Sequence, residues 1–389
     1  MSTFSVPIKR IRAIEMHPNA DAIELAVIDG YRTVVKKGAF EAGELVAYIP
    51  QAALLPQWLL KRLGFWDAER DMGKLNGPEG NRVKAIHLRG ELSQGICYPV
   101  ITDGAGNGQI VTGDEPGCFA NVVEGEDVAG LLGITKHVPE VPECLLGDVF
   151  AMEYDHTLNF DIEDWKAYPD VLQSGEEVIF TEKLHGICTV VVILPFKDAH
   201  PDAFGERKNI LISSKGLMAD GLAFKNNEKN RDNVYVKATR ALVEGIEAVQ
   251  RLGNHKGDSA GPAAPMYVLG ETFGPGVQDL AYGTELSYRM FAGANGYRSQ
   301  QTYYDWDDLA HSVAPAFGVE MVPVLYRGPF SEAVMREHTS GKTTLGAKHI
   351  REGIVMVPAR ERKDAVLGRV ALKSVSAAYL TRAGGTEYS

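Results

Sequence analysis

The stretch EEVIFTEKLHGICTVVVILP (176–195) reads as two β-strands separated by a turn that contains a lysine. Its halves, EEVIFTE and CTVVVILP, are short runs of apolar and β-branched residues, a composition typical of strands buried in a sheet. Lys183 therefore stands at a strand end, followed by His185 and Gly186. A lone lysine in such a place is ordinarily a solvated charge, so the string Lys-x-His-Gly does not identify a site by itself.

Three further charged residues follow at the ends of predicted strands, in the strings LGETFG (269–274), EGIV (352–355) and LKSVS (372–376). Glu271 comes 88 residues after Lys183, Glu352 follows 81 residues later, and Lys373 another 21 residues on. The order and spacing of two lysines and two carboxylates carry more information than any one string.

These four residues are what nucleotidyl transfer to lysine requires. A lysine that attacks the α-phosphate of a nucleotide must lose its proton below its usual pKa of about 10.4. A second cation, here Lys373, disfavours protonation of Lys183 and neutralises the phosphate. Glu271 and Glu352 can hold a divalent metal that polarises the phosphoryl oxygens. We therefore expect Lys183, Lys373 and Glu352 to be catalytic, and Glu352 and Glu271 to bind metal.

In this order, the strings resemble the motifs of the covalent nucleotidyltransferase superfamily, which comprises DNA ligases, RNA ligases and mRNA capping enzymes. His185 stands where DNA ligases carry Asp. The resulting Glu-Lys-x-His-Gly string resembles the motif of the RNA-ligase branch. The chain most resembles the Deinococcus-type RNA ligase family, in which an OB domain precedes the nucleotidyltransferase domain. The resemblance extends to four more strings: LRGELSQG (88–95), LGITKHVPEVP (132–142), GETFGPGVQDLAYG (270–283) and YLTRAGGTEY (379–388).

The resemblance implies a role for each residue that matches a motif. Lys183 is the nucleophile that becomes attached to AMP, Lys373 contacts the α-phosphate, and Glu352 organises Mg2+ or Mn2+. The implied ATP pocket comprises Glu182, Leu184, His185, Gly186, Lys215, Glu271, Phe291 and Lys373. Two of these residues have ordinary structural alternatives, Phe291 as a core aromatic and Lys215 as an exposed charge on a strand edge.

The N-terminal part of the chain has a different pattern. Residues 1–100 carry short alternating apolar runs, as in ELAVIDGYRTVVKK and ELVAYIP, which is typical of a small β-barrel. We expect an α+β chain with an OB-like nucleic-acid-binding barrel and acidic linker over 1–145, then a nucleotidyltransferase domain of antiparallel sheets over 146–389. The string HPNAD (17–21) resembles tRNA-binding OB domains, although His17 is expected to be a turn residue. Candidates for the RNA-binding surface are Arg82, Lys84, Arg89 and Tyr98.

The net charge of −11 is unusual for a nucleic-acid enzyme, but much of it lies in one stretch. Residues 101–150 carry one basic and nine acidic residues, whereas residues 1–100 carry 13 basic and 11 acidic ones, so the flanking regions can still present basic grooves. No apolar run approaches the roughly 18 residues of a membrane-spanning helix. No Cys-x-x-Cys pair occurs among Cys97, Cys118, Cys144 and Cys188. We therefore expect reduced thiols, no structural zinc, no membrane association and a cytoplasmic location.

Two alternatives stand beside an ATP-dependent RNA ligase: a capping-type guanylyltransferase that uses GTP, and a non-catalytic RNA-binding protein that retains the fold. Only 16 residues follow Lys373, so we expect no C-terminal OB domain, which disfavours DNA ligases and capping enzymes. The string SGKTTLG (340–346) is not a P-loop, because Arg336 stands where that motif needs glycine. The resemblance implies a nick in duplex RNA or an RNA–DNA hybrid, with RNA on the 3′-OH side. The sequence makes no obligate protein partner evident, and we expect none. Sealing would pass through lysyl-AMP and an AMP-capped 5′ end.

Overall fold

The computed structural model describes residues 4–102, 108–138, 145–255, 262–283, 285–298 and 300–385. Contacts divide the chain into two compact units, one of Ser2–Val138 with Trp165–Pro169 and one of Pro139–Asp164 with Asp170–Ser389. The domain boundary between residues 145 and 146 stays a prediction, and Cys144 lies outside the described residues. No helix among the described residues is both long enough and apolar enough to cross a membrane.

The first unit is built from short, antiparallel strands. They are β1 Ile8–Arg10, β2 Ala13–Met16, β3 Ile23–Ile28, β4 Tyr31–Lys36, β5 Leu45–Ile49, β6 Ala53–Leu54, β7 Trp66–Asp67, β8 Met72–Gly73, β9 Ile86–Leu88, β10 Glu91–Ser93, β11 Ile96–Pro99, β12 Ile101–Thr102, β13 Gly108–Val111, β14 Phe119–Val122 and β15 Thr135–Lys136. Two short helices, α1 Gln57–Arg62 and α2 Ala129–Leu132, lie among them. The three main sheets have the orders β1-β5-β11, β2-β3-β4 and β12-β13-β14.

The turn between β3 and β4 shows why Trp165–Pro169 belongs to this unit. The Gly30 backbone N–H donates a hydrogen bond of 2.7 Å to the carbonyl of Lys166. A Cβ at Gly30 would lie only 2.7 Å from Lys166 Cα, so only glycine allows the two backbones to approach so closely. The later segment is therefore packed against the barrel by direct backbone contact.

The structure places two side chains of this unit, Tyr98 and His17, for which the sequence predicted a role. Tyr98 is 1% exposed and its hydroxyl donates to the Val111 carbonyl at 3.0 Å, so the interpretation of Tyr98 as a base-stacking surface residue is wrong. His17 is buried next to the 18–19 turn, with Nε2 3.0 Å from the Leu88 carbonyl and Nδ1 accepting from the Asn19 N–H. These contacts give His17 a structural role.

The second unit contains two five-stranded sheets, and this confirms the expected α+β architecture. Its strands are β16 Val149–Ala151, β17 Glu163–Asp164, β18 Glu177–Lys183, β19 Ile187–Ile193, β20 Ile210–Ser214, β21 Leu222–Phe224, β22 Met266–Phe273, β23 Ser287–Asn295, β24 Thr302–Tyr303, β25 Val324–Pro329, β26 Gly353–Pro358, β27 Lys363–Asp364, β28 Gly368–Arg369 and β29 Leu372–Val375. The sheet orders are β17-β29-β26-β18-β25 and β20-β19-β22-β23-β24. Pairing within them is antiparallel except for β17 with β29.

The described part of this unit also contains helices. They are α3 Lys215–Ala219, α4 Val234–Ala238, α5 Arg240–His255, α6 Trp306–Asp308, α7 Ala314–Ala316, α8 Glu332–Thr339 and α9 Ala377–Leu380, with a π-helical turn over Leu309–Val313. On one face of the second sheet, Leu242 and Ile246 of α5 pack against Val191 and Val268. Strand β18 belongs to one sheet and β19 to the other, so residues 184–186 form the connection between the two sheets.

Candidate active site

Lys183 is the last residue of β18, and its position in the sheet selects its partner. Lys183 lies opposite Gly353, the first residue of β26, so Glu352 precedes its cross-strand neighbour. The Nζ of Lys183 lies 2.7 Å from Oε1 of Glu352, with the two side chains 25% and 10% exposed. The strand register therefore brings together two predicted site residues that are 169 positions apart in the chain.

Glu271 joins this pair through the second sheet. It lies in β22 opposite Cys188, the second residue of β19 and therefore close to the 184–186 connection. Burial raises the pKa of Glu271 to about 8, with Lys183 opposing the rise and Glu352 adding to it. These opposing effects show that the three charged groups share one electrostatic environment.

Gly186 is required by packing against β22. A Cβ at this position would lie 2.2 Å from the Thr272 carbonyl oxygen and 2.9 Å from Cγ of Glu271. Any larger residue would push the turn away from the strand that carries Glu271. The glycine of the Lys-x-His-Gly string thus holds the lysine and the glutamate in one site.

Lys373 and Lys215 complete a group of three lysines. Lys373 lies in β29, opposite Val355 on one side and Asp164 on the other. Burial lowers the pKa of Lys373, and Lys183 and Lys215 lower it further. The Nζ of Lys215, at the start of α3, lies 2.6 Å from Oδ1 of Asp161. The alternative of Lys215 as an exposed strand-edge charge is therefore not what the structure shows.

The segment before β18 supplies acidic groups that the sequence did not reveal. Asp161 holds Lys215, and Asp164 lies beside Lys373 in the parallel pair of β17 with β29. Burial and the neighbouring Asp161 raise the pKa of Glu163, while Lys373 opposes that rise. No periodicity or motif marks this stretch as part of a site.

Glu182 points away from Lys183, because successive side chains alternate along a strand. Its Oε2 accepts hydrogen bonds from the backbone N–H and the hydroxyl of Thr344, at 2.8 and 2.6 Å. Its Oε1 is buried and has no hydrogen-bond partner among the described residues. Thr344 belongs to SGKTTLG, which is an irregular loop with no helix following it, so this loop supports Glu182 rather than forming a P-loop.

The remaining predicted pocket residues have clear positions. Leu184 is buried, 3% exposed, in an apolar cluster with Ile179 and Val357. Phe291 in β23 is half-buried and contacts this cluster as well as a second one that includes Cys188. Packing in the core and stacking on a bound base are both compatible with this position, and its role in adenine binding stays a prediction.

His185 is the most fully bonded residue of the motif. Its Nε2 lies 2.7 Å from Oδ1 of Asp279, its Nδ1 lies 2.7 Å from the hydroxyl of Tyr379, and its backbone N–H donates to the hydroxyl of Tyr282 at 2.8 Å. Burial lowers the pKa of His185 to about 4, which keeps the ring neutral at physiological pH. The sequence reasoning missed these three partners, although GETFGPGVQDLAYG and YLTRAGGTEY contain them and resemble the family.

The predicted RNA-contacting residues lie in the first unit. Lys84 and Arg89 are exposed, and Arg82 is partly buried. Burial, followed by the charges of Arg82 and Lys84, lowers the pKa of His137, so these two cations lie near one another. Arg89 lies at the tip of the β9–β10 hairpin with a φ of 48°, and its carbonyl accepts from Asn19. A role in binding RNA stays a prediction for all three.

The donor set suits a hard cation bound jointly by protein and nucleotide. Carboxylate oxygens such as those of Glu271 and Glu352 are the ligands that Mg2+ and Mn2+ prefer. Across the described ranges, no group of three or more His, Cys, Asp or Glu side chains is arranged to hold a metal ion. Two carboxylates with phosphate oxygens fit an ion of the kind that bridges an enzyme and a nucleotide.

Solved structures show the same fold over nearly the whole chain. The Naegleria gruberi RNA ligase, as a lysine-to-methionine variant with AMP and Mn, matches with a TM-score of 0.70 and 20% identity over 96% of this chain and 97% of that one. A lysine-to-alanine variant with ATP and Mn matches with a TM-score of 0.69 and 19% identity over the same shares of the two chains. The same ligase with PPi matches with a TM-score of 0.67 and 21% identity over 97% of this chain and 98% of that one.

Family models match both parts of the chain, whereas no curated protein sequence does. An OB-fold domain model matches residues 5–100. The RNA ligase model matches residues 176–375, which is 200 of the 389 residues and includes Lys183, Glu271, Glu352 and Lys373. The family expected from the motifs is thereby confirmed: this chain belongs to the RNA ligase family.

Proposed function

We propose that this chain is an ATP-dependent RNA ligase that joins 3′-OH and 5′-phosphate ends. The observation that supports the proposal most directly is the Lys183 amine, 2.7 Å from Glu352 and within the electrostatic reach of Glu271. The Naegleria structures that share the fold contain ATP, AMP, Mn and PPi, which supports ATP and a divalent cation as cofactors here. Lys183, Lys373 and Glu352 are the proposed catalytic residues.

The amine of Lys183 becomes a nucleophile only when it is neutral. Glu352 stabilises the protonated form of Lys183, whereas Lys373 disfavours it, because the charges of these two lysines repel each other. A divalent cation held by Glu271 and Glu352 would polarise the phosphoryl oxygens. With Glu352 engaged in that way, Lys183 would keep a cationic neighbour and lose the support of its carboxylate, which favours the neutral amine that attacks.

The proposed reaction has three steps. The nitrogen of Lys183 attacks the α-phosphorus of ATP, a phosphoramidate P–N bond forms, the bond to the bridging oxygen breaks, and pyrophosphate leaves. The AMP group then passes to the oxygen of a 5′-phosphate, which regenerates the lysine. A 3′-hydroxyl finally attacks that phosphate and AMP leaves. Lys373 and Lys215 neutralise phosphate charge throughout, and positioning of the two ends supplies much of the rate.

Glu182 supports ATP over GTP. Its buried Oε1 has no partner among the described residues and can only accept a hydrogen bond when the carboxylate is ionised. Adenine presents an amino donor at C6, whereas guanine presents a carbonyl acceptor there. If Oε1 of Glu182 faces that position, it accepts a hydrogen bond from adenine but meets a second acceptor, the carbonyl, when guanine binds. Leaving both acceptors without a donor costs about 1–3 kcal/mol of binding free energy.

The test is covalent labelling on a denaturing gel. The purified chain is incubated with α-labelled ATP or GTP and with Mg2+ or Mn2+. We expect an adduct with ATP, none with Lys183→Ala, and normal labelling with Lys229→Ala, an exposed lysine ion-paired to Asp148 at 2.6 Å. Labelling by GTP alone would favour a capping-type guanylyltransferase, and no adduct with any nucleotide would favour a non-catalytic RNA-binding protein.

The finer substrate assignment is also a proposal. We expect preferential sealing of a nick in duplex RNA or an RNA–DNA hybrid, with RNA on the 3′-OH side. The OB-fold domain and the motif resemblance support this assignment. Sealing rates on a panel of single-stranded and nicked substrates test this substrate assignment. Because the assay contains only the purified chain, it also tests whether sealing needs a protein partner. Faster sealing of single strands would contradict the assignment.

The described free thiols Cys97, Cys118 and Cys188 support the proposed cytoplasmic location.

A further inference from the structure

The connection between β18 and β19 is held from outside its own sheets. The carbonyl of Gly186 accepts a hydrogen bond from Nε2 of Gln278 at 2.7 Å. The backbone N–H of His185 donates to the hydroxyl of Tyr282 at 2.8 Å. Both partners come from the loop that follows β22, so the backbone of this turn is fixed by a neighbouring segment. Its side-chain contacts involve a second segment, near α9.

The hydrogen bonds of His185 define its tautomer. A carboxylate only accepts, so the Nε2 of His185 must donate to Oδ1 of Asp279, 2.7 Å away. The Nδ1 of the neutral ring is then an acceptor, and the hydroxyl of Tyr379 donates to it at 2.7 Å. The His185 side chain is only 2% exposed, so water does not readily replace either partner. His185 is therefore occupied at both nitrogens.

Arg382 joins the two partners of His185 to each other. Its Nε and Nη2 donate to the two oxygens of Asp279 at 3.0 and 3.1 Å. Its guanidinium carbon lies 3.6 Å from the centroid of the Tyr379 ring, which is a cation–π contact. His185, Asp279, Arg382 and Tyr379 thus form a closed ring of contacts, which we call the His185 ring.

The segment that carries Tyr379 is also attached to Glu352. The backbone N–H of Ser376 donates to the Glu352 carbonyl at 2.8 Å. The Ser376 side chain caps α9 by accepting from the backbone N–H of Tyr379. One short segment therefore contacts the backbone of Glu352 at its start and the side chain of His185 at Tyr379. Glu352 is one member of the Lys183–Glu352 pair, and His185 lies two residues after the other member.

We propose that Tyr379 and Arg382 are positioning residues that, through His185, hold Lys183 in its geometry facing Glu352. The inference rests on the proposed role of Lys183 as the nucleotidylated residue. Neither Tyr379 nor Arg382 needs to touch the nucleotide. Their loss therefore lowers the rate of lysyl-nucleotide formation and leaves nucleotide affinity nearly unchanged.

The test measures lysyl-nucleotide formation in a single turnover at several ATP concentrations. Tyr379→Phe removes one buried hydrogen bond, and we expect a rate about fivefold lower. Arg382→Ala removes a bidentate charged pair, and we expect a loss on the order of 30-fold. Arg382→Lys restores charge but not the bidentate geometry, so its rate should fall between those of Arg382→Ala and wild type. The ATP concentration at half-maximal rate should stay within about twofold.

Matched controls separate positioning from general stability. Tyr326→Phe removes a comparable hydroxyl contact, 2.9 Å from the Pro329 carbonyl on β25. Arg362→Ala removes a bidentate pair with Glu176, at 2.6 and 2.8 Å, in another part of the unit. Both should keep the wild-type rate per folded molecule. Equal rate losses in the controls and in the Tyr379 and Arg382 variants would overturn the inference.

A spectroscopic readout tests the His185 ring independently of activity. Protein labelled with 15N-histidine, with the His185 signals assigned from His185→Gln, should show an unprotonated, hydrogen-bonded Nδ1. Tyr379→Phe should move that resonance to the position of an Nδ1 without a donor, and Tyr326→Phe should leave it in place. An unchanged resonance in Tyr379→Phe overturns the inference. If the wild type forms no adduct with any nucleotide, the proposed function fails, and the resonance still decides whether the ring exists.

Discussion

Replacement of Glu271 by glutamine should stabilise the protein at alkaline pH. Burial raises the pKa of Glu271 from 4.5 to about 8, against the opposing charge of Lys183. The folded protein therefore holds a proton at pH 7 that the unfolded chain has lost. Glutamine has nearly the same shape as the protonated side chain and never has to ionise, so Glu271→Gln removes the cost of ionisation in the folded state.

The sign and size of the effect follow from proton linkage. Because the folded pKa is raised, the stability contribution is fully present below about pH 4.5 and is lost as the pH rises through 8. A difference of about 3.5 pKa units corresponds to roughly 5 kcal/mol when the loss is complete. Between pH 6 and pH 9, wild type should lose roughly 2–3 kcal/mol relative to Glu271→Gln.

The assay is urea unfolding of both proteins, without metal or nucleotide, at pH 6, 7, 8 and 9. We expect the difference in unfolding free energy between Glu271→Gln and wild type to grow across this range. Glu228→Gln, at an exposed carboxylate ion-paired to Arg231, is the control, and its difference from wild type should stay constant. A constant difference for Glu271→Gln as well would refute the reasoning that burial keeps this carboxyl protonated.

Three further predictions concern the metal, the packing and the thiols. Binding of Mn2+ at pH 7 should release about one proton from wild type and none from Glu271→Gln, measured by calorimetry in two buffers; equal release would contradict Glu271 as a ligand. Gly245→Ala in α5 should lower stability by about 1–3 kcal/mol without changing labelling per folded molecule, because its Cβ would lie 2.0 Å from the Phe317 carbonyl oxygen; a stability gain would contradict the clash. Burial and the charge of Glu271 raise the pKa of Cys188, so iodoacetamide at pH 8 should modify Cys118 before Cys188, as followed by mass spectrometry; faster reaction at Cys188 would contradict its raised pKa.

The local pattern of the chain was sufficient for the strands that carry the motif. The runs 177–183 and 187–193 are rich in β-branched residues and form β18 and β19. Nucleotidyl transfer to lysine requires amines and carboxylates, and the residue types at Lys183, Glu271, Glu352 and Lys373 meet this requirement. They can be read from the sequence without knowing the distances between them. Together with the resemblance of their strings to known motifs, these residues allowed the family and the fold class to be predicted from sequence, and the comparisons confirm both.

The sequence by itself therefore determined which lysine reacts in the proposed mechanism and in which kind of fold it lies. Only the tertiary structure decided what surrounds it. Asp279, Thr344 and Tyr379 lie 94, 162 and 194 residues from the motif positions that they contact. They lie in irregular loops or a single helical turn, where no period of 2 or 3.6 marks which side chain faces the site. Strand register and loop packing bring them there, because a buried carboxylate and a buried imidazole must find hydrogen-bond partners wherever the chain can supply them.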